Sequence, residues 1–292
     1  MVLVARRLRF GLRFGLVMSV VAGCVTTGCV ARAAVPDELT KQILEAQQPS
    51  SERGNAAKGE SRTPGANDQN LRELLKKRAI GFEKIHQTEQ AEADFTAALD
   101  VQPIDPTLYA DRGYFYLRQK RFAQALADFT TGSRVDPNNP LFVFATGRVH
   151  AAQADFPGAI ERYNDALRID GAYAVALISR AEAYVHLGRL QDAKQDYDQT
   201  IALAFKRAGD RYFAYLGRGY INILLQDFDA AVRDLDQALD AQPGDLNALL
   251  YRGYAYELRG TSELALRDYE RAFVESPGNP WVRTSLQRLR SN

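Results

Sequence analysis

A regular internal repeat is the feature of this sequence that most constrains its fold. Ala or Gly recurs along the chain at a constant spacing, except that the fourth interval is longer by four positions, and this place is called the small-residue position below. Its six occurrences are Ala79, Gly113, Gly147, Ala181, Gly219 and Gly253. Repetition at such a period is typical of chains in which copies of one supersecondary unit stack on each other.

Two further positions recur at the same spacing as the small residue. An alanine follows it by twelve residues in all six copies: Ala91, Ala125, Ala159, Ala193, Ala231 and Ala265. A large side chain follows four residues later: Phe95, Phe129, Tyr163, Tyr197, Leu235 and Tyr269. Apolar residues recur every three or four positions in two runs per copy, which predicts two amphipathic helices joined by a short turn.

Helix starts can be predicted at the joints between copies. Asp105-Pro106, Asn139-Pro140 and Asn279-Pro280 each place an N-cap residue before a proline at the first helical position. Four additional residues precede the fifth copy. The segment 206–210 is therefore expected either to add about one helical turn or to form a loop in which Gly209 is a C-terminal cap.

These positions resemble those of the tetratricopeptide repeat, a helix–turn–helix unit of about 34 residues. The resemblance covers residues 71–279 and implies an all-α fold, an α-solenoid of six repeats, with residues 280–292 as a C-terminal capping helix. It also implies a protein-interaction scaffold without catalytic activity, whose first helices line a concave groove.

An arginine and an aspartate occur together in five of the six copies. The arginine precedes the small-residue position, and the aspartate follows the arginine by sixteen residues. The pairs are Arg78/Asp94, Arg112/Asp128, Arg180/Asp196, Arg218/Asp234 and Arg252/Asp268. The third copy has Thr146 and Arg162 instead, so both partners are lost together. We predict that each pair faces across its two helices. The alternative is a ladder of arginines that binds an anionic ligand.

Residues 1–33 have the features of an export signal. A basic front is followed by the uncharged, largely apolar stretch 14–31. Val21–Cys24 resembles a bacterial lipobox, which predicts lipidation of Cys24; the alternative is cleavage after Ala33. An uncleaved anchor and a mitochondrial transit peptide fit the pattern less well. The chain is therefore expected on the periplasmic side of a bacterial cell envelope, lipid-anchored or soluble.

Residues 34–70 are predicted to be a flexible tether. The part from Pro49 to Asn70 has no large apolar residue and cannot bury enough surface to offset the entropy of ordering. Leu39, Ile43 and Leu44 lie on one side of a possible short helix. We interpret it as a transient helix in a disordered arm, and the alternative is that it occupies the chain's own groove.

Composition excludes several classes of function. The chain has 37 Lys+Arg against 36 Asp+Glu and three His, and both cysteines lie before residue 30. Without the signal it is mildly acidic, which argues against a nucleic-acid partner. Phosphate loops, nucleophile elbows and metal-ligand spacings do not occur in residues 71–292. No metal, cofactor or enzymatic activity is expected.

The groove that the resemblance implies is expected to be apolar toward the C-terminus. The predicted groove residues are Phe144, Ile178, Phe213, Leu216, Tyr220, Leu250 and Tyr254. An exposed apolar patch with tyrosines is typical of an interaction site. We expect an apolar helix or extended peptide of another envelope protein to bind there. The alternative is a structural subunit of an envelope complex that associates with itself.

Overall fold

The computed structural model describes residues 36–47, 66–203 and 208–291, and these residues contain helices and turns but no strand. The helices are α1 (Pro36–Gln47), α2 (Ala66–Lys84), α3 (Thr88–Val101), α4 (Pro106–Arg118), α5 (Phe122–Val135), α6 (Pro140–Ala152), α7 (Phe156–Ile169), α8 (Ala174–His186), α9 (Leu190–Leu203), α10 (Ala208–Leu224), α11 (Phe228–Ala241), α12 (Leu246–Arg259), α13 (Ser262–Glu275) and α14 (Pro280–Arg290). The predicted all-α class is confirmed.

Helices α2 to α13 follow one another as two helices for each copy of the sequence repeat, and α14 comes after the last copy. The predicted solenoid of six repeats with a capping helix is therefore confirmed. The chain divides between Gln153 and Ala154 into two compact units. Helices α1 to α6 belong to the N-terminal unit, and α7 to α14 belong to the C-terminal unit. The division falls inside the third repeat, the copy without an Arg/Asp pair.

The predicted helix caps are present. Asp105 and Asn139 accept hydrogen bonds from the backbone N–H groups of Thr107 and Leu141. Asn279 accepts from the N–H groups at the start of α14, and each of the three caps precedes a proline at the first helical position. Since these side chains satisfy N–H groups that have no partner within the helix, they fix where each first helix begins.

At the small-residue position a side chain of the second helix packs directly against the backbone of the first. A Cβ atom added at Gly113 would lie 2.5 Å from the ring of Phe129, and one at Gly253 would lie 2.8 Å from that of Tyr269. Gly132 makes the equivalent contact between neighbouring repeats, because a Cβ there would lie 2.2 Å from the ring of Phe142. The repeating pattern of small and aromatic residues is thus a pattern of ring-against-backbone contacts.

The turn between the two helices of each repeat contains one residue with a left-handed backbone. Gly188 and Gly260 are the glycines at this place, with φ of 72° and 86°. The non-glycine residues with positive φ are His86, Lys120, Ala154 and Gln226. Sequence reasoning predicted the turns but not this conformation, because four of the six copies lack the glycine that would signal it.

Each of the five predicted Arg/Asp pairs is a two-point hydrogen bond across its repeat. In every pair the arginine Nε and Nη2 atoms donate to the two carboxylate oxygens at 2.6–2.9 Å. The aspartates are buried, whereas the arginines keep about a fifth of their side chains exposed. Hydrogen bonds from Arg112 to Asp128 raise the pKa of the Arg112 guanidinium, against the opposing effect of partial burial. The prediction that these pairs face each other is confirmed.

The same arginines also reach the preceding second helix through their third nitrogen. Arg112 Nη1 donates to Thr96 Oγ1 at 3.2 Å, and Arg252 Nη1 donates to Asp236 Oδ1 at 2.5 Å. Arg180 and Arg218 donate in the same way to Asn164 and Asp198, and Arg78 donates to Thr40 on α1. Each guanidinium therefore joins three helices: its own, its partner and the one before.

The region N-terminal to the repeats differs from the predicted tether. Residues 36–47 form helix α1, and Leu39 and Ile43 are buried against α2 and its neighbours. Helix α2 begins at Ala66, so residues 66–70 are helical as well. The expectation of a transient helix in a disordered arm is wrong for 36–47, because α2 offers an apolar face that these side chains cover. Residues 48–65 lie outside the described part of the chain.

The additional residues before the fifth repeat lengthen its first helix. Helix α10 runs from Ala208 to Leu224, and Gly209 lies in its first turn rather than at a C-terminal cap. The helical alternative is supported over 208–210, and residues 204–207 lie outside the described ranges.

We predict opposite effects of two Gly→Ala substitutions in the N-terminal unit. Gly132→Ala should lower the free energy of unfolding by about 1–3 kcal/mol, because the new methyl group would overlap the buried ring of Phe142. Gly81→Ala in α2 should raise it by about 0.4–1 kcal/mol, since a Cβ there has no atom within 4 Å. Urea unfolding followed by circular dichroism measures both, and equal effects would contradict this packing.

We also predict that the arginines of the pairs stabilise the fold far more than exposed arginines do. Arg252→Ala leaves the buried Asp268 carboxylate without its partner and should cost about 3 kcal/mol. Arg290→Ala, which removes an ion pair to Glu270 with both side chains about half exposed, should cost no more than about 0.5 kcal/mol. Comparable losses of stability in thermal unfolding of the two variants would contradict the proposed role of the pair.

Candidate protein-binding surface

The seven predicted groove residues fall into two groups. Phe144, Ile178, Leu216 and Leu250 are buried, with at most 4% of each side chain exposed. These four stand three residues before a small-residue position, on the side of the helix that carries core residues. The structure corrects their assignment to an open groove and places them in the core. Phe213, Tyr220 and Tyr254 are partly exposed.

Four rings on three successive first helices of the C-terminal unit form what is called the aromatic surface below. Tyr220 lies on α10, Tyr251 and Tyr254 on α12, and Trp281 on α14. Ring centroids are 5.0 Å apart for Tyr220 and Tyr251, 6.1 Å for Tyr251 and Trp281, and 6.3 Å for Tyr254 and Trp281. All four side chains are partly exposed. The aromatic surface is therefore continuous across the three helices.

Sequence reasoning missed two of these rings. Tyr251 lies three residues before Tyr254, which places both on one side of α12, and that spacing was available as a signal. Trp281 lies in the capping helix that the sequence predicts. It packs against the core of the C-terminal unit, and it also contacts the rings of Tyr251 and Tyr254.

The environment of the aromatic surface is apolar enough to perturb its phenols. Burial raises the pKa of Tyr220, and the neighbouring Tyr254 adds to the effect. Burial also raises the pKa of Tyr251, with further contributions from Tyr220 and Asp245. These tyrosines therefore stay neutral at physiological pH and offer rings and hydroxyl groups rather than charge.

The first helices of the N-terminal unit carry several charged groups. Lys76 pairs with Asp111 at 2.6 Å, and Arg118 pairs with Glu83 at 2.6 Å. The Arg148 guanidinium lies 5.7 Å from the ring centroid of Tyr114. At the place of Tyr220 and Tyr254 this unit has Ile80, Tyr114 and Arg148, that is, one aliphatic side chain, one ring and one guanidinium.

The arginine ladder is not suited to anion binding. The arginine of each of the five pairs directs Nε and Nη2 to its own aspartate and Nη1 to a further acceptor. A guanidinium whose donors are used in this way, beside a buried carboxylate, is a poor receptor for a second anion. The structure therefore does not support the alternative hypothesis that these arginines bind an anionic ligand.

Other predictions concern metal sites and the membrane. Among the residues that the structure describes, no group of three or more His, Cys, Asp or Glu side chains could hold a metal ion. His150 is partly buried in α6.

No helix within the described ranges is both long and apolar enough to span a bilayer. Cys24, Val21–Cys24 and the cleavage site after Ala33 all lie outside the described residues.

Comparisons with known proteins agree with this architecture. The chain of the Cut9–Hcn1 hetero-tetramer of the APC/C aligns with a TM-score of 0.64 at 16% identity, covering 76% of this chain and 45% of that chain. PilW, described as a widely conserved type IV pilus biogenesis factor, aligns with a TM-score of 0.62 at 14% identity, covering 74% of this chain and 98% of PilW. At such identities these similarities concern the fold alone.

A curated relative was also found. DnaJ homolog subfamily C member 3 of Gallus gallus is 30% identical over 117 residues, which are 38% of this chain and 22% of that protein. This chain therefore matches about a fifth of the length of its curated relative.

Stacked helix pairs with ring-against-backbone contacts define the class of helical repeat proteins that act as interaction scaffolds. The sequence model of the tetratricopeptide repeat matches residues 77–140, 116–174, 144–210 and 223–280. The chain belongs to the tetratricopeptide repeat family.

Proposed function

We propose that this protein is an exported scaffold that binds an apolar segment of another envelope protein through the aromatic surface of its C-terminal unit. The observation that carries the proposal is the continuous group of Tyr220, Tyr251, Tyr254 and Trp281. Tetratricopeptide repeats are in general non-catalytic modules for protein–protein interaction, so a protein or peptide is the expected class of partner.

The chemistry of the aromatic surface favours an apolar partner. Tyrosine and tryptophan bury large areas with few rotatable bonds, and their polar atoms stay at the edge of the contact. Tyr251, Tyr254 and Trp281 are already held by the core beneath them, and Tyr220 by the ring of Tyr251, so little conformational entropy is lost on binding. A helix or extended peptide with leucine, phenylalanine or proline side chains would fit such a surface.

The location in a bacterial envelope is part of the proposal and depends on the N-terminal sequence. Val21–Cys24 supports lipidation of Cys24 and attachment to a membrane on the periplasmic side. PilW, which shares the fold, is described as a pilus biogenesis factor, and an assembly role of that kind is consistent with a tethered scaffold.

We predict that Tyr220→Ala combined with Tyr254→Ala abolishes capture of the partner. Native envelope extract is passed over the immobilised protein, and the captured protein is identified and titrated by calorimetry. Loss of two anchoring rings should weaken binding at least about 30-fold. Helical content and the melting temperature should change little, because both rings are partly exposed.

The matched control is Tyr109→Ala combined with Tyr114→Ala, which removes two partly exposed rings from the N-terminal unit. This variant should bind the partner as the wild type does. Equal losses in both double variants would contradict the assignment of the aromatic surface. A chain that oligomerises in light scattering without any partner would instead favour the self-associating structural subunit.

The lipid anchor is tested by intact-mass analysis of the mature protein from a bacterial host with lipoprotein-processing enzymes. We expect a chain that begins at Cys24 and carries a diacylglyceryl group, and Cys24→Ala should release the protein from the membrane fraction. A mature chain that begins at Ala34 without lipid would exclude the anchor while leaving the aromatic surface untouched.

A further inference from the structure

Helix α1 occupies the place of the second helix of a repeat that precedes the first one. Thr40 accepts a hydrogen bond from Arg78 Nη1 at 3.0 Å, as Thr96 of α3 accepts one from Arg112 Nη1. Counting from these two threonines, Leu39 corresponds to Phe95 and Ile43 corresponds to Leu99, and all four are buried. Helix α1 therefore continues the array in the register of α3, α7, α9 and α11.

The surface under α1, called the seat below, consists of Leu74, Leu75, Arg78, Leu99 and Leu108. Leu39 and Ile43 pack in one cluster with the four leucines of the seat. The next residue, Leu44, points away and is 59% exposed. Two aliphatic side chains four residues apart, with a hydroxyl acceptor beside the first, thus make the contact between α1 and the seat.

Charge also distinguishes the two sides of this contact. Helix α1 contains three acidic residues and one lysine, whereas α2, which carries most of the seat, contains five basic and three acidic residues. Opposite net charges favour the encounter and orientation of the two helices. Arg72, Lys76 and Arg78 already pair with Asp105, Asp111 and Asp94, so Lys77 and Lys84 are the basic residues of α2 that remain to attract an acidic helix.

Helix α1 is held less firmly than the helices of the repeats. A second helix of a repeat such as α5 packs between two first helices, but among the described helices α1 packs chiefly against α2. A helix of twelve residues is marginal in water without tertiary contacts. Segments with few buried contacts open at the lowest free energy, so release of α1 precedes unfolding of the array.

We propose that the seat is a helix-binding site, filled by α1 in the isolated chain. Its partner is an acidic amphipathic helix with two aliphatic side chains four residues apart and a hydrogen-bond acceptor after the first. The partner helix binds when it displaces α1, so the chain limits access to its own N-terminal edge. This site is separate from the aromatic surface, and its test does not depend on the proposed function.

A labelled synthetic peptide with the sequence of residues 36–47 probes the seat by fluorescence anisotropy. The full chain with Leu39→Asp and Ile43→Asp should bind it at least about tenfold more tightly than the wild type, because its own α1 no longer competes. Leu44→Asp is the matched control: it puts the same side chain on the exposed side of α1 and should behave as the wild type. Equal or absent binding to the double variant would overturn the proposal.

Hydrogen exchange of the wild-type chain provides a second measurement that needs no variant. Excess peptide should accelerate amide exchange in residues 36–47 and leave α13 unchanged; unaltered exchange in α1 would overturn the proposal. A peptide with Glu38→Lys and Glu45→Lys should bind more weakly, and equal affinity would exclude an acidic partner. A wild-type dimer in light scattering that is lost on Leu39→Asp would assign the seat to α1 of a second copy instead.

Discussion

The guanidinium group of one arginine per repeat is the interaction on which most of this architecture depends. Its planar fork matches the two oxygens of a carboxylate, and its third nitrogen remains for an acceptor on the helix before. One side chain thereby sets the spacing within a repeat and the spacing to its neighbour. Because the aspartate is buried, loss of the arginine would destabilise the fold, since a carboxylate without its partner is costly in an apolar interior. The third repeat, which lacks both groups, is also the repeat in which the chain divides into its two units.

Much of this fold was predictable from the sequence because the determinants recur six times. The small residue at Gly113 and the ring at Phe129 are uninformative alone, but their repetition at a fixed spacing reports a contact between helices. The joint loss of arginine and aspartate in the third copy likewise predicted that Arg78 and Asp94 face each other. Caps such as Asn139 could be located because their chemistry is local and needs no knowledge of the tertiary structure.

The candidate site was less predictable, since one helix carries both core and surface positions. Leu250 and Tyr254 are four residues apart and share a face, yet Leu250 is buried while Tyr254 keeps part of its ring exposed. Such a difference depends on the angle at which neighbouring helices cross, which a repeat pattern does not encode. The stable packing of helix α1 could not be predicted from the sequence for a related reason. Its register matches that of α3, but the offset between Thr40 and Thr96 is longer than one repeat period and shorter than two, so a search at the repeat period passes over it.

Under the proposed lipid anchor at Cys24, docking of α1 limits how far the repeats can lie from a membrane. With Cys24 as the proposed anchor and α1 seated, only residues 25–35 separate the lipid from the folded array, a reach of at most about 40 Å when fully extended. The contour length from Cys24 to the start of α2 is about 140 Å, so release of α1 raises the upper limit on this distance. A single short helix would then determine whether the array stays close to the bilayer or extends far into the surrounding compartment.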